Sequence, residues 1–177
     1  RNLGDKYEFS SLDLRPVDGI PSFEADLAEL DSIRPAFEGQ ESVVHLGAEA
    51  GGEAPWDPVV QSNIIGTHNV MEASREAGVR RVVFASTNHV VGFYPETDEP
   101  YKAVFEGRLD DLSMPVPKLT ADLLRPDCLY GVSKAFGEAI GRHRSGVSQI
   151  GGKAILQPHM GDTDRIPINI CDLGLCH

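Results

Sequence analysis

The chain has 177 residues, 41% of them hydrophobic, enough for one domain with a real core. Its 27 acidic and 16 basic residues give a formal net charge of −11, which repels phosphate backbones and anionic bilayers. Nucleic acid and membrane are therefore not expected partners, and the excess charge reads as a solvated acidic face. Cys128, Cys171 and Cys176 form no CxxC pair and cannot all pair within one chain, so a reduced, cytoplasmic setting is expected. The sequence Cys171-x4-Cys176-His177 has no matching second pair, and no metal site is expected there. No apolar run reaches the length of a membrane span.

Residues 6–14, "KYEFSSLDL", alternate roughly and end near Asp13, before a Pro/Gly cluster, which predicts a strand and then a loop. A second short strand is predicted at 22–27 and a short helix at 28–39, interrupted by Pro35. The run "SVVHLGA" at 42–48 has the continuous apolar character of a buried parallel strand. Val59, Val60, Ile64, Val70 and Met71 recur at helical spacing, predicting a long helix over 56–78 capped by Gly78. "RRVVFAS" at 80–86 reads as another buried strand, followed by a long connection over about 92–128 and a helix starting near Tyr130. Beyond Ser145 the chain has scattered Gly and Pro and no sustained period.

Strands alternating with helices predict a doubly wound parallel α/β sheet. In such sheets ligands lie beyond the carboxyl ends of the strands, which gathers Asp13, "LGAEAGG" and "STNH" (86–89) at one rim. A strand-end carboxylate there can accept hydrogen bonds from a ribose diol. Tyr130 and Lys134, four apart, share one helix face. A free phenol titrates near 10 and is a poor base at neutral pH; a nearby ammonium favours the phenolate. A hydroxyl at Thr87 could orient the reacting oxygen, so hydroxyl, phenol and amine together suit proton removal from an alcohol as hydride leaves. His45 reads as a core histidine, His68 as a helix-surface residue, and Trp56 and Phe93 as packing or loop residues.

The phrases "VVHLGA", "SNIIGTHNVMEA", "RRVVFASTNHVVGFYP" and "LYGVSKAFGE" resemble the extended short-chain dehydrogenase/reductases of the NAD-dependent epimerase/dehydratase family. The "STNH" turn before "GFYP" and the phrase "PDCLYGVSK" look most like uronate dehydrogenases. The resemblance covers about residues 5–143. It implies Tyr130 as general base, Lys134 as the group that lowers its pKa and holds the nicotinamide ribose, and Thr87 as the catalytic hydroxyl. It further implies substrate contacts at Thr87, Asn88 and His89, and adenosine ribose at Asp13. Asp26 and Leu27 would meet the adenine region, Leu46, Gly47 and Ala48 would flank the cofactor, and Asn63 would support the site.

The implied cofactor is NAD; Arg15 leaves NADP as the alternative. The implied reaction oxidises the anomeric hydroxyl of a hexuronic acid to a lactone, in a parent that could be a homo-oligomer. The alternatives are a nucleotide-sugar epimerase or dehydratase, and a non-catalytic Rossmann-like fragment. The family opens on a strand and a glycine-rich turn, and nothing before Asp13 matches that turn. The expected architecture is therefore a partial Rossmann-like domain over 1–144, with its first strand and glycine-rich turn absent, and an atypical tail over 145–177. On that reading the strands flanking the absent one lose their ladder partners, and the fragment alone is expected to be inactive.

Overall fold

The structure, a computed structural model, describes residues 6–112, 115–119, 123–147 and 166–171, the last segment and 145–147 as backbone. Strand β1 (Tyr7–Asp13) is followed by the short β2 (Ser22–Glu24), which ends three residues before the expected boundary. The predicted helix over 28–39 becomes one α-turn, α1 (Leu30–Ile33), and a 3₁₀ turn (Arg34–Phe37) with Pro35 in its first positions. Proline lacks the N–H that would continue the α ladder, so the change of helix type falls there. β3 (Ser42–His45) follows.

The long helix runs as α2 (Trp56–Pro58), a π-helical stretch (Val59–Ile65) and α3 (Gly66–Glu76). Gly78 takes φ 73°, the left-handed conformation that ends helices at little cost to glycine. β4 (Arg81–Phe84) leads to a 3₁₀ turn (Asn88–Val91). The long connection read over about 92–128 holds α4 (Tyr94–Thr97), α5 (Tyr101–Phe105) and a 3₁₀ turn (Leu109–Asp111). The helix foreseen near Tyr130 is α6 (Leu129–Val147), and β5 (Ile166–Cys171) completes the described elements.

All described pairings are parallel, and the sheet order is β2-β1-β5-β3-β4. This is the doubly wound arrangement expected from the alternation of strands and helices. One feature differs from expectation: the slot between β1 and β3 is filled. β5 runs there from Tyr7↔Ile166 to Leu12↔Cys171 on one side and from Ser42↔Ile168 to His45↔Cys171 on the other. A parallel strand in that slot gives both neighbours the ladder partners they would otherwise lack. Pro167, which has no N–H to give a ladder, obscures the strand in the sequence. Cys171 lies in this strand, whereas Cys176 and His177 fall outside the described residues.

The core packs Leu12, Val43 and Val82 of the sheet against Phe37, Val70 and Met71, all essentially out of solvent. Burying each such side chain fully is worth about 1.5–3 kcal/mol. Among the described residues, no helix is long and apolar enough to cross a membrane. His45 is fully buried on β3, as its apolar surroundings suggested, with Nε2 2.9 Å from the Thr67 hydroxyl and Nδ1 without a hydrogen-bond partner. His68 stays at the helix surface.

Burial, with a smaller contribution from the Lys134 charge, pushes the His45 pKa down from 6.5 to about 3. The folded state thus holds His45 neutral over a range where the unfolded chain binds a proton. The stability this group contributes is full above pH 6.5 and is lost as pH falls from there toward 3, at up to about 1.4 kcal/mol per pH unit. The acid limb of a urea-unfolding series against pH is expected to be shallower in His45→Gln than in the parent. Equal slopes would remove His45 from the acid transition.

Candidate active site

The site gathers at the carboxyl ends of the parallel strands, where loops leave the sheet. Asp13 closes β1, and its Oδ1 accepts from the Arg15 N–H at 3.2 Å. Asp26 forms a similar local turn, accepting from the Ala28 N–H at 2.9 Å. The Asn69 amide on α3 donates to the carbonyls of Leu27 and Ala28, both at 2.9 Å, so the 26–28 loop is tied to the helix beneath it. Gly66 lets that loop approach: a Cβ there would lie 2.9 Å from Leu27 Cβ. Leu46, Gly47 and Ala48 follow β3, with Gly47 buried and Leu46 exposed. The carboxylate at the end of β1 suits a ribose diol, and the exposed Leu46 suits an apolar ring face.

Asn63 lies buried in the π-helical stretch, a distortion often found near functional sites. Its carbonyl accepts from the Glu49 N–H at 2.7 Å, and its amide donates to the Glu49 carbonyl and to Ser133 Oγ, both at 2.9 Å. Ser133 in turn donates to the Tyr130 carbonyl at 2.7 Å. One amide therefore links the loop after β3 to the first turn of α6, one residue from Lys134. Ser133 was not foreseen, because an (i, i−3) hydroxyl on a helix carries no distinct sequence signal.

Thr87 caps the 3₁₀ turn that follows β4: its Oγ1 accepts from the His89 N–H at 3.3 Å and donates to Asn88 Oδ1 at 3.4 Å. Asn88 is exposed, and Thr87 and His89 are half-buried. The His89 and Tyr130 rings meet edge to face, with centroids 5.9 Å apart. Asp127, two residues before α6, holds His89 Nδ1 at 2.9 Å. Burial raises the Asp127 carboxyl, but hydrogen bonds with Cys128 and His89 more than offset it, leaving its pKa below the ordinary range. The Cys128 thiol is pushed up by burial and by the Asp127 carboxylate.

Lys134 is buried, and its Nζ sits 4.9 Å from the Phe84 ring centre and 5.5 Å from that of Tyr130. Burial lowers its pKa from 10.5 to about 8. It remains mostly charged at neutral pH in a place that disfavours charge, and such perturbed groups cluster at functional sites. The four-residue spacing thus brings phenol and ammonium together, with Thr87 and His89 on the neighbouring turn.

α6 reaches this position because two glycines let it. A Cβ at Gly131 would come within 2.5 Å of the His89 carbonyl oxygen, and one at Gly137 within 2.2 Å of Phe84 Cζ. Ser86 donates to Glu138 at 2.5 Å, a further tie between the end of β4 and the same helix. Neither Glu138 nor Asp127 was foreseen, since both act across more than 35 residues of sequence.

The profile of the NAD dependent epimerase/dehydratase family matches residues 3–146. The chain belongs to that family. It is 38% identical over 154 residues to an NAD-dependent glucose-6-phosphate dehydrogenase of Haloferax volcanii, covering 80% of this chain and 55% of that protein. It is 40% identical over 119 residues to a uronate dehydrogenase of Agrobacterium fabrum, covering 67% of this chain and 38% of that one. Among solved structures, a uronate dehydrogenase mutant from Agrobacterium tumefaciens complexed with NAD superposes at a TM-score of 0.64 with 34% identity. That match covers 84% of this chain and 51% of that one. The chain spans about half the length of the first of these relatives and of the solved structure.

The packing of α6 generates a test. Gly137→Ala must displace Phe84 or the helix, and overpacking of that kind costs about 1–3 kcal/mol. Chemical unfolding should show a loss in that range. Unchanged stability would mean that α6 does not depend on this close approach.

Proposed function

We propose that this chain is the cofactor-side part, over residues 1–144, of an NAD-dependent sugar dehydrogenase that oxidises the anomeric hydroxyl of a hexuronic acid to a lactone. The observation that carries the reading is the Tyr130 phenol with a buried, charged Lys134 against its ring and the Thr87 hydroxyl on the adjoining turn. Recurrence of uronate dehydrogenases among the relatives supports the substrate class.

When bound, NAD supplies the hydride acceptor. Asp13 accepts from the adenosine ribose, with Asp26, Leu27, Leu46, Gly47 and Ala48 along the adenosine side. A carboxylate at Asp13 accepts from a 2′-hydroxyl and repels a 2′-phosphate, which favours NAD over NADP. At the reacting end Thr87 donates to the anomeric oxygen and holds it toward the Tyr130 phenolate. Tyr130 takes the hydroxyl proton as the C1–H bond gives up its hydride, and the C1–O bond becomes the lactone carbonyl. The Lys134 ammonium stabilises the phenolate before the transfer and holds the nicotinamide ribose. Asn88 and His89 contact the sugar, with His89 oriented by Asp127. Asn63 keeps the rim assembled through Glu49 and Ser133.

The test is turnover with galacturonate and glucuronate, set beside neutral aldoses and a sugar phosphate, in a protein that carries this chain at the length of its relatives. Tyr130→Phe is expected to lower kcat by roughly 10²-fold or more, the scale of a positioned general base, with the Kd for NAD nearly unchanged. Near-normal kcat would remove Tyr130 from the chemistry. Faster oxidation of a neutral aldose or sugar phosphate than of either uronate would move the substrate assignment to that class.

A further inference from the structure

His89, Asp127 and Cys128 bring an imidazole nitrogen, a carboxylate oxygen and a thiol sulfur within 4.8 Å of one another, all half-buried. The two segments that carry them are locked together before any ligand arrives. Arg125 N–H donates to the Val90 carbonyl at 2.9 Å, Phe93 N–H to the Arg125 carbonyl at 3.1 Å, and Asp127 N–H to the His89 carbonyl at 3.3 Å. The Arg125 guanidinium lies over the Tyr94 ring at 4.9 Å and pairs with Asp98, which ties the segment before Asp127 to α4. Gly92 makes room for the carboxylate: a Cβ there would sit 1.9 Å from Asp127 Oδ2.

We propose that His89, Asp127 and Cys128 form a binding site for a thiophilic divalent metal ion of the zinc class. One nitrogen, one oxygen and one sulfur ligand leave a fourth tetrahedral position open, the pattern of zinc sites that keep an exchangeable ligand. The thiolate excludes the hard cations magnesium and calcium, which take oxygen ligands. Ligands at 2.0–2.3 Å from zinc lie within about 4 Å of each other, a separation that His89 Nδ1 and Asp127 Oδ2, 2.9 Å apart, already meet. Sequence reading could not find this site, because His89 and Asp127 lie 38 residues apart and match no ligand spacing.

Cys128 has a second role that separates a ligand from a structural residue. Its Sγ accepts from the Gly131 N–H at 3.4 Å, the position of a helix N-cap. Serine caps a helix well and is a poor ligand for a thiophilic metal. Cys128→Ser therefore preserves the cap and removes the site. Occupation of the site would draw His89 away from the sugar and inhibit the dehydrogenase, a consequence that rests on the function proposed above; the binding itself does not.

The test is titration of the purified chain with cobalt(II), whose tetrahedral thiolate complexes absorb strongly in the visible and show a sulfur-to-metal charge-transfer band in the near ultraviolet. The chain should show both bands, saturating at one equivalent and bleached by zinc. Cys128→Ser should lose the charge-transfer band while its unfolding midpoint without metal stays equal or rises. The double variant Cys171→Ser/Cys176→Ser should keep it. Absence of the bands in the parent, or their persistence in Cys128→Ser, would overturn the site.

Discussion

The rim depends on the close docking of α6 (Leu129–Val147) against the end of β4 and the turn that follows it. Gly131 lies against the His89 carbonyl and Gly137 against the Phe84 ring, so helix and turn approach nearer than any side chain at those positions would allow. That approach slides the Lys134 ammonium under two aromatic faces and sets the Tyr130 ring on edge against His89. The cost of burying the ammonium shows in its pKa, lowered to about 8. Side-chain contacts on a helix reach only neighbours one turn away, so the tyrosine and lysine share an environment that either one alone would not create.

The remainder of the fold holds this contact in register. Asn63 ties α6, through Ser133, to the loop leaving β3, and Ser86 ties it to the end of β4 through Glu138. The parallel sheet beneath is continuous because β5 lies between β1 and β3. Loops at the carboxyl ends of β1, β3 and β4 therefore rise from one rigid platform, as an open α/β sheet requires if acidic, apolar and hydroxyl groups are to face one ligand.

Much of this was legible in the sequence, because buried parallel strands announce themselves as apolar runs. "SVVH" and "RVVF" fixed two strands, the 3.6-residue spacing of Val59 through Met71 gave the long helix, and Tyr130 with Lys134 followed from helix geometry. What stayed hidden depends on contacts between distant segments. Asp127 orients His89, Glu138 meets Ser86 and Ser133 meets Asn63, yet each is an ordinary residue in its own stretch. β5 was hidden by Pro167 and by a tail without periodicity, and its place became visible only beside the two strands whose edges it satisfies. The short helices of the 94–111 segment were masked by proline, which reads as loop and yet sits comfortably in first turns.

Central to the proposed function is a Lys134 that carries its charge while buried, at the expense of stability. The direct measurement compares urea unfolding of this chain with that of Lys134→Met from pH 7 to 10. Between the folded pKa of about 8 and the unfolded value of 10.5, the unfolded chain binds the extra proton, so stability rises with pH in the parent. At pH 7 the methionine variant should be the more stable by about 1–3 kcal/mol, and the difference should shrink as pH approaches 10. A variant less stable than the parent at pH 7, or a difference that does not change with pH, would contradict the account.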